Sequence, residues 1–176
     1  MKSLTSVAAL CIFLAGCTGI PKSVSPVQDF ELNRYLGTWY EIARLDHSFE
    51  RGLSKVTAEY SLREDGGVRV LNKGYSNEEK EWSEAEGKAY FVDDESTGHL
   101  KVSFFGPFYA SYVIANLDDQ YQYAYISGPD TDYLWLLART PTVTTKQQED
   151  FKSFAQKKGF AVDELIWVEH EQSSGQ

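Results

Sequence analysis

The sequence predicts an all-β domain of about eight short antiparallel strands with one helix near its C-terminal end, and three observations carry that expectation. Apolar and polar residues alternate in short runs between about residues 38 and 140. Clusters of turn-forming residues divide these runs at nearly even spacing. Aromatic residues make up 14% of the chain, with 11 Tyr and 10 Phe, and aromatic and β-branched side chains favour strands. At 42% hydrophobic and 24% charged, the 176 residues have the composition and length of a single globular domain.

The first 16 residues stand outside that domain. Lys2 gives a positive start, residues 4–14 form a mostly apolar run, and Ala15 and Gly16 are small. This is the pattern of a secretory signal, too short to cross a bilayer as a helix. Leu14-Ala15-Gly16-Cys17 resembles a bacterial lipobox, which implies cleavage before Cys17 and acylation of its sulfur and new amino group. Cys11 leaves with the signal, so the exported chain has no disulfide and no cysteine pair for zinc. A formal charge of −9 without a basic cluster argues against nucleic acid and against peripheral binding to anionic lipid. Residues 17–29 contain Gly19, Pro21, Ser23, Ser25 and Pro26 and read as a lipidated tether.

From about Phe30 the strand pattern begins. The expected strands are 38–44, 54–63, 67–75, 82–92, 99–105, 109–117, 121–127 and 133–140. The breaks between them include Glu64-Asp65-Gly66-Gly67, Gly106-Pro107, Asp118-Asp119-Gln120 and Gly128-Pro129-Asp130. Such a pattern fits a sandwich or a barrel, and eight strands closed on themselves leave room for one small ligand. Thr144 with Gln147 forms a capping box, Phe151, Phe154 and Ala155 fall at helical spacing, and Gly159 terminates, so a helix is expected over about 145–158. A last strand, Leu165-Ile166-Trp167-Val168, completes a domain of residues 30–170, and 171–176 are a tail.

Two motifs decide between sandwich and barrel. Gly37-Thr38-Trp39-Tyr40-Glu41-Ile42 opens the first strand, preceded by Phe30-Glu31-Leu32-Asn33-Arg34-Tyr35-Leu36, which fits a short helical turn. Leu136-Leu137-Ala138-Arg139-Thr140-Pro141 closes the eighth. Over residues 30 to 168 the chain resembles the lipocalins, most closely the bacterial outer-membrane lipoprotein lipocalins and apolipoprotein D. The resemblance implies an eight-stranded up-and-down antiparallel β-barrel with one C-terminal α-helix packed outside. It also implies a structural pair of Trp39 and Arg139 at the closed end. Strand counting agrees: the eighth of eight up-and-down strands ends where the first begins, and closure makes them neighbours. The family's middle motif is reduced here to Asn116-Leu117-Asp118 with Tyr121, and Thr131-Asp132-Tyr133 falls one hairpin too late to serve as it.

Alternation sorts the interior. Val56, Ala58, Tyr60, Val68, Val70, Ala85, Ala89, Phe91, Val102 and Phe104 fall on the inward face, and Trp135 and Leu137 join them from a strand apolar on both faces. Small Ala58, Ala85, Gly87 and Ala89 suggest space left for a ligand, or for neighbouring aromatics. Residues 45–54, 75–81, 106–108 and 128–132 lie at the open end, where His47, Phe49, Arg51 and Phe108 form the rim. The expected function is binding, storage or transport of a fatty acid or lysophospholipid in the bacterial cell envelope, with the membrane reached through the anchor. By lipoprotein-sorting analogy, Thr18 after the acylated cysteine implies the periplasmic side of the outer membrane. No nucleophile elbow, His-Glu-x-x-His or phosphate loop occurs, and no catalytic residue, cofactor or metal is expected. The alternatives are an enzyme acting on bound lipid, with Glu41 as its one plausible buried carboxyl, and a filled structural lipoprotein; a structural role for Glu41 beside Arg139 or a cavity tyrosine is favoured over the catalytic one. The sequence does not choose between monomer and homodimer.

Overall fold

The first strand of the chain and the last long one pair with each other, and that ladder decides the architecture. A computed structural model describes residues 18–170, so the signal peptide, Cys17 and the 171–176 tail lie outside the described residues. β1 (Gly37–Arg44), β2 (Leu53–Leu62), β3 (Val68–Ser76), β4 (Glu81–Phe91), β5 (His99–Ser103), β6 (Ala110–Leu117), β7 (Tyr123–Ser127) and β8 (Leu134–Ala138) pair antiparallel in sequence order. β8 returns to β1, with Tyr40 opposite Ala138 and Glu41 opposite Leu137, and a closed barrel results. Helix α1 (Leu32–Tyr35) lies across the base, and α2 (Thr145–Lys158) packs outside. A short β9 (Ile166–Trp167) joins β1 where β2 has left it.

The base is closed by the two motif residues. Trp39 is fully buried and donates from Nε1 to the Tyr35 carbonyl at 2.8 Å. The Arg139 guanidinium lies 4.0 Å over the Trp39 ring. It donates to the carbonyls of Arg34 and Leu36 at the end of α1 and of Thr38 in β1, each at 2.9 Å, so one planar cation ties the helix end to the first strand. Gly37 has φ +93°, a backbone conformation that side chains with a Cβ rarely adopt, which accounts for glycine at the head of the motif. The Asp118 carboxylate accepts from the Gln122 and Tyr123 amides at 2.6 and 2.7 Å and fixes the β6–β7 turn. Thr131-Asp132-Tyr133 sits at the opposite end.

Helix α2 follows its sequence signals. Thr144 Oγ1 accepts from the Gln147 amide, Gln147 Oε1 accepts from the Thr144 amide at 2.8 Å, and Gly159 ends the helix at φ +83°. Phe151 and Ala155 are buried with Leu134, Leu136 and Ala138 from the outer face of β8.

Two features depart from the sequence reading. In β1 the register shifts between Glu41 and Ala43, so Ile42 is an extra residue in a β-bulge. Trp39 and Glu41 face inward before it, and Arg44 faces inward after it. The second departure is the segment expected to be a tether, which is a docked strap over most of its length. Gly19 lies against the Pro129 carbonyl on the β7–β8 loop. Ser23 donates to the Lys158 carbonyl at 2.6 Å, and Val24 is buried in the α2-side cluster. The Val27 amide donates to the Ile114 carbonyl at 2.9 Å, and Phe30 enters the core at the base. The physical reason is apolar content: Ile20, Val24, Val27 and Phe30 punctuate the Gly, Pro and Ser residues, and burying them outweighs the entropy of a free coil.

One stretch of the wall is incomplete. β4 pairs with β3 from Glu81 to Ala89 but with β5 only from Lys88 to Phe91. Residues 81–86, all exposed, have no β5 partner and border the β5–β6 loop.

Candidate ligand-binding cavity

The barrel encloses a cavity of about 650 Å³ that opens between the β1–β2, β5–β6 and β7–β8 loops. Its wall is built by strand alternation. Val56, Ala58 and Tyr60 come from β2, Val68 and Val70 from β3, Ala85 and Ala89 from β4, Val102 from β5 with Phe104 just beyond it, and Trp135 and Leu137 from β8. Phe91, also expected in the wall, instead packs under the floor, 6.1 Å from the Phe30 ring. It lies at the base end of β4, below the depth the cavity reaches. Gly87 is small for a different reason from its neighbours: a Cβ there would meet the Phe104 ring at 2.8 Å, so an aromatic covers that spot.

Three polar features interrupt the apolar wall. At the floor, Tyr112 Oη lies 2.7 Å from Tyr35 Oη and 2.8 Å from Tyr60 Oη. Two hydrogen bonds use two of the three hydroxyl protons and leave one free. Burial pushes all three phenols above their ordinary pKa, so they stay neutral. Higher in the wall, Asn72 Oδ1 and Ser103 Oγ are buried without a protein partner.

Toward the mouth is a charged cluster that the sequence pattern does not reveal. Arg44 donates to Glu41 Oε1 at 2.7 Å and to the Glu50 carbonyl at 2.8 Å, and Trp135 Nε1 donates to Glu50 Oε2 at 3.0 Å. Glu41, Arg44 and Glu50 are 4%, 1% and 7% exposed, a degree of burial at which charges need partners. Burial, and then the Glu50 charge, hold the Glu41 carboxyl well above its usual range, and burial raises Glu50 as well. With two carboxyls to one guanidinium, the cluster retains a proton more readily than an exposed pair. Glu41 is therefore neither the one buried carboxyl nor a partner of Arg139. The β1 bulge turns Arg44 toward it, and Glu50 comes from a loop whose facing no alternation reports.

The four rim residues do not act alike. Phe49 and Phe108 line the mouth and are 61% and 67% exposed; their neighbour Phe105 is 81% exposed. His47 is buried in the rim wall, stacked 4.7 Å from the Tyr133 ring and 5.2 Å from Phe49. It lines an adjoining surface pocket instead of the cavity. Burial lowers its pKa, with Arg44 adding to the effect, which favours the neutral ring. Arg51 stands outside the mouth and bonds Asp46 Oδ2 through Nε at 2.9 Å. That local pairing draws it away from a ligand head group. Among the described residues no cluster of three or more His, Cys, Asp or Glu is placed to hold a metal ion. Lipidation at Cys17 falls outside the described residues.

Residues 30–170 match the Lipocalin-like domain family. The chain is 61% identical over 164 residues to outer membrane lipoprotein Blc of Vibrio cholerae serotype O1, covering 92% of this chain and 96% of that protein. It is 49% identical over 168 residues to outer membrane lipoprotein Blc of Escherichia coli strain K12, covering 94% and 95%. Apolipoprotein D of Rattus norvegicus is 35% identical over 126 residues, covering 66% and 65%. Among solved structures, insecticyanin from the tobacco hornworm Manduca sexta matches with a TM-score of 0.68 at 20% identity over 89% of each chain, a likeness of fold alone.

Proposed function

This chain belongs to the lipocalin-like family, and from that premise we propose that it takes up a fatty acid or lysophospholipid by its acyl chain and holds it at the outer membrane. It is a lipid-binding protein of the bacterial envelope, not an enzyme. Its relatives at 61% and 49% identity are outer membrane lipoproteins, which supports the same compartment here and acylation at Cys17.

The observation that carries the reading is the cavity. About 650 Å³ lies within the range of small-molecule sites, and its wall is mostly apolar with few polar groups. An acyl tail lies along Val56, Val70 and Val102, and the head group remains near the mouth, beside Glu50 and Trp135. A barrel filled by its own side chains has no such space, which counts against a purely structural lipoprotein. The test is mass spectrometry of lipids that co-purify with the Cys17→Ser domain. Single-chain lipids at near-stoichiometric levels are expected. A lipid-free domain that also fails to bind a fluorescent fatty acid overturns the proposal.

A further inference from the structure

We infer that the barrel meets the leaflet carrying its own anchor mouth-first, held in that orientation by the N-terminal strap. The inference rests on the lipid-binding reading and on acylation at Cys17. β1 begins at the base, so connectivity alone would join the anchor to the closed end. The strap reverses this. From Phe30 at the base it runs up the outside of the barrel past Val27 and Val24, and Gly19 reaches the Pro129 carbonyl beside the mouth. Cys17 is two residues further, roughly 7 Å of extended chain. The anchor therefore joins the described chain at a segment held beside the opening, not at the base. Turning the base toward the leaflet requires the strap to peel away, which exposes Val24 and Phe30 and breaks the Val27 hydrogen bonds.

The surface that this geometry points at the leaflet is built for it. Phe49, Phe105 and Phe108 expose their rings together around the mouth, where a soluble surface would carry polar side chains. The nearby charges are mostly acidic: Asp130 and Asp132 on one loop, and Glu78 and Glu79 on another with Glu81 at the head of β4, against Lys80. Arg51 is paired with Asp46. The contact is thus apolar and suits a zwitterionic phospholipid leaflet; anionic lipid repels this rim. Mouth, anchor and ligand source then coincide, and a lipid passes from leaflet to cavity without crossing water.

The experiment uses the acylated full-length protein in phosphatidylethanolamine–phosphatidylcholine vesicles containing brominated acyl chains. With Cys17 acylated the mature chain has no other thiol, so one fluorophore is placed at Asp132→Cys by the mouth or at Asp119→Cys at the base. Quenching several-fold stronger at 132 than at 119 is expected; equal or reversed quenching overturns the orientation. A second variant inserts ten Gly and Ser residues between Thr18 and Gly19, outside every packed element. It should lose most of the mouth quenching and load a fluorescent lysophospholipid from the host vesicle several-fold more slowly. Unchanged quenching and loading would overturn the role of the strap. Affinity of the Cys17→Ser domain for the same probe in solution is the separate control: its absence removes the lipid-binding reading but leaves the orientation measurement intact.

Discussion

The base and the mouth of this barrel are built from similar residue types and put them to opposite use. At the base, Trp39, Tyr35 and Phe30 are buried against one another, and every carbonyl left by α1 that Arg139 reaches has a donor. At the mouth, phenyl rings stand in solvent, and one buried guanidinium, bonded to the Glu41 carboxyl and the Glu50 backbone carbonyl, is the cation for two buried carboxyls. Farther in, Asn72 and Ser103 lack partners. Satisfied interactions stabilise the native state; unsatisfied ones are available to a ligand or a membrane. Stability is therefore concentrated at one end and binding at the other.

The largest effect should come from Trp39→Ala. It removes a fully buried indole, leaves the Tyr35 carbonyl without its donor and strips Arg139 of the ring beneath it. A loss of ~3–5 kcal/mol is expected, read by urea denaturation. An unchanged midpoint would break the assignment of stability to the base. Val102→Glu tests the other end of the contrast: an unpaired carboxylate in the apolar wall should weaken a fatty-acid probe about a hundredfold or more, with a smaller cost to folding. Equal affinity in variant and parent would remove Val102 from the site.

The carboxyl cluster sharpens the comparison through pH. Glu41 and Glu50 have raised pKa values in the folded state, so the native protein binds protons more tightly there than the unfolded chain does. Stability from this pair is fully present below the unfolded carboxyl range and declines as pH rises through the raised values. Each tenfold difference in proton affinity between the folded and unfolded states is worth at most about 1.4 kcal/mol. The lowered carboxyls Asp46, Glu86 and Asp94 act in the opposite sense and in a lower window, losing their contribution as pH falls. Glu50→Gln keeps an acceptor for Trp135 and removes one charge, so it should flatten the decline above the ordinary carboxylate range and leave the variant more stable than the parent at the alkaline end of the profile. A pH profile matching that of the parent contradicts the shared proton. The smallest thermodynamic effect belongs to Phe105→Ser with Phe108→Ser. Exposed rings contribute little to folding, so the midpoint should move by less than ~0.5 kcal/mol, while lipid loading from vesicles slows.

The barrel's wall is legible in the sequence because β2 and β3 alternate through most of their length, and burial of one face enforces it; β5 alternates less strictly, with Ser103 buried in the wall beside Val102. The capping box and Gly159 likewise mark α2 to the residue. The features that escape the sequence share a cause. The β1 bulge has no local signal: Ile42 is an ordinary strand residue, and its displacement follows from pairing with β8. Without the bulge Arg44 falls on the outward face, and Glu41 has no visible partner but Arg139 or a tyrosine. Glu50 lies in a loop, where parity carries no information. The strap does leave a signal in Ile20, Val24, Val27 and Phe30, spaced three or four apart, but Gly, Pro and Ser composition outweighs it. Arg51 and His47 are placed at the right end of the barrel. A neighbouring Asp46 and a stack of aromatic rings, neither visible as periodicity, set their actual roles.

The incomplete pairing of β4 bears on which molecules this protein accepts. A container sealed along its sides excludes anything longer than its depth. Here the stretch 81–86 has no β5 partner and is exposed, so the wall is open beside the rim. Such a container gauges thickness and ignores length. Across a homologous series of saturated chains, affinity should climb until the floor tyrosines are reached and then level off, since additional carbons emerge sideways through the gap. Branched or ring-bearing tails of equal carbon number should be refused.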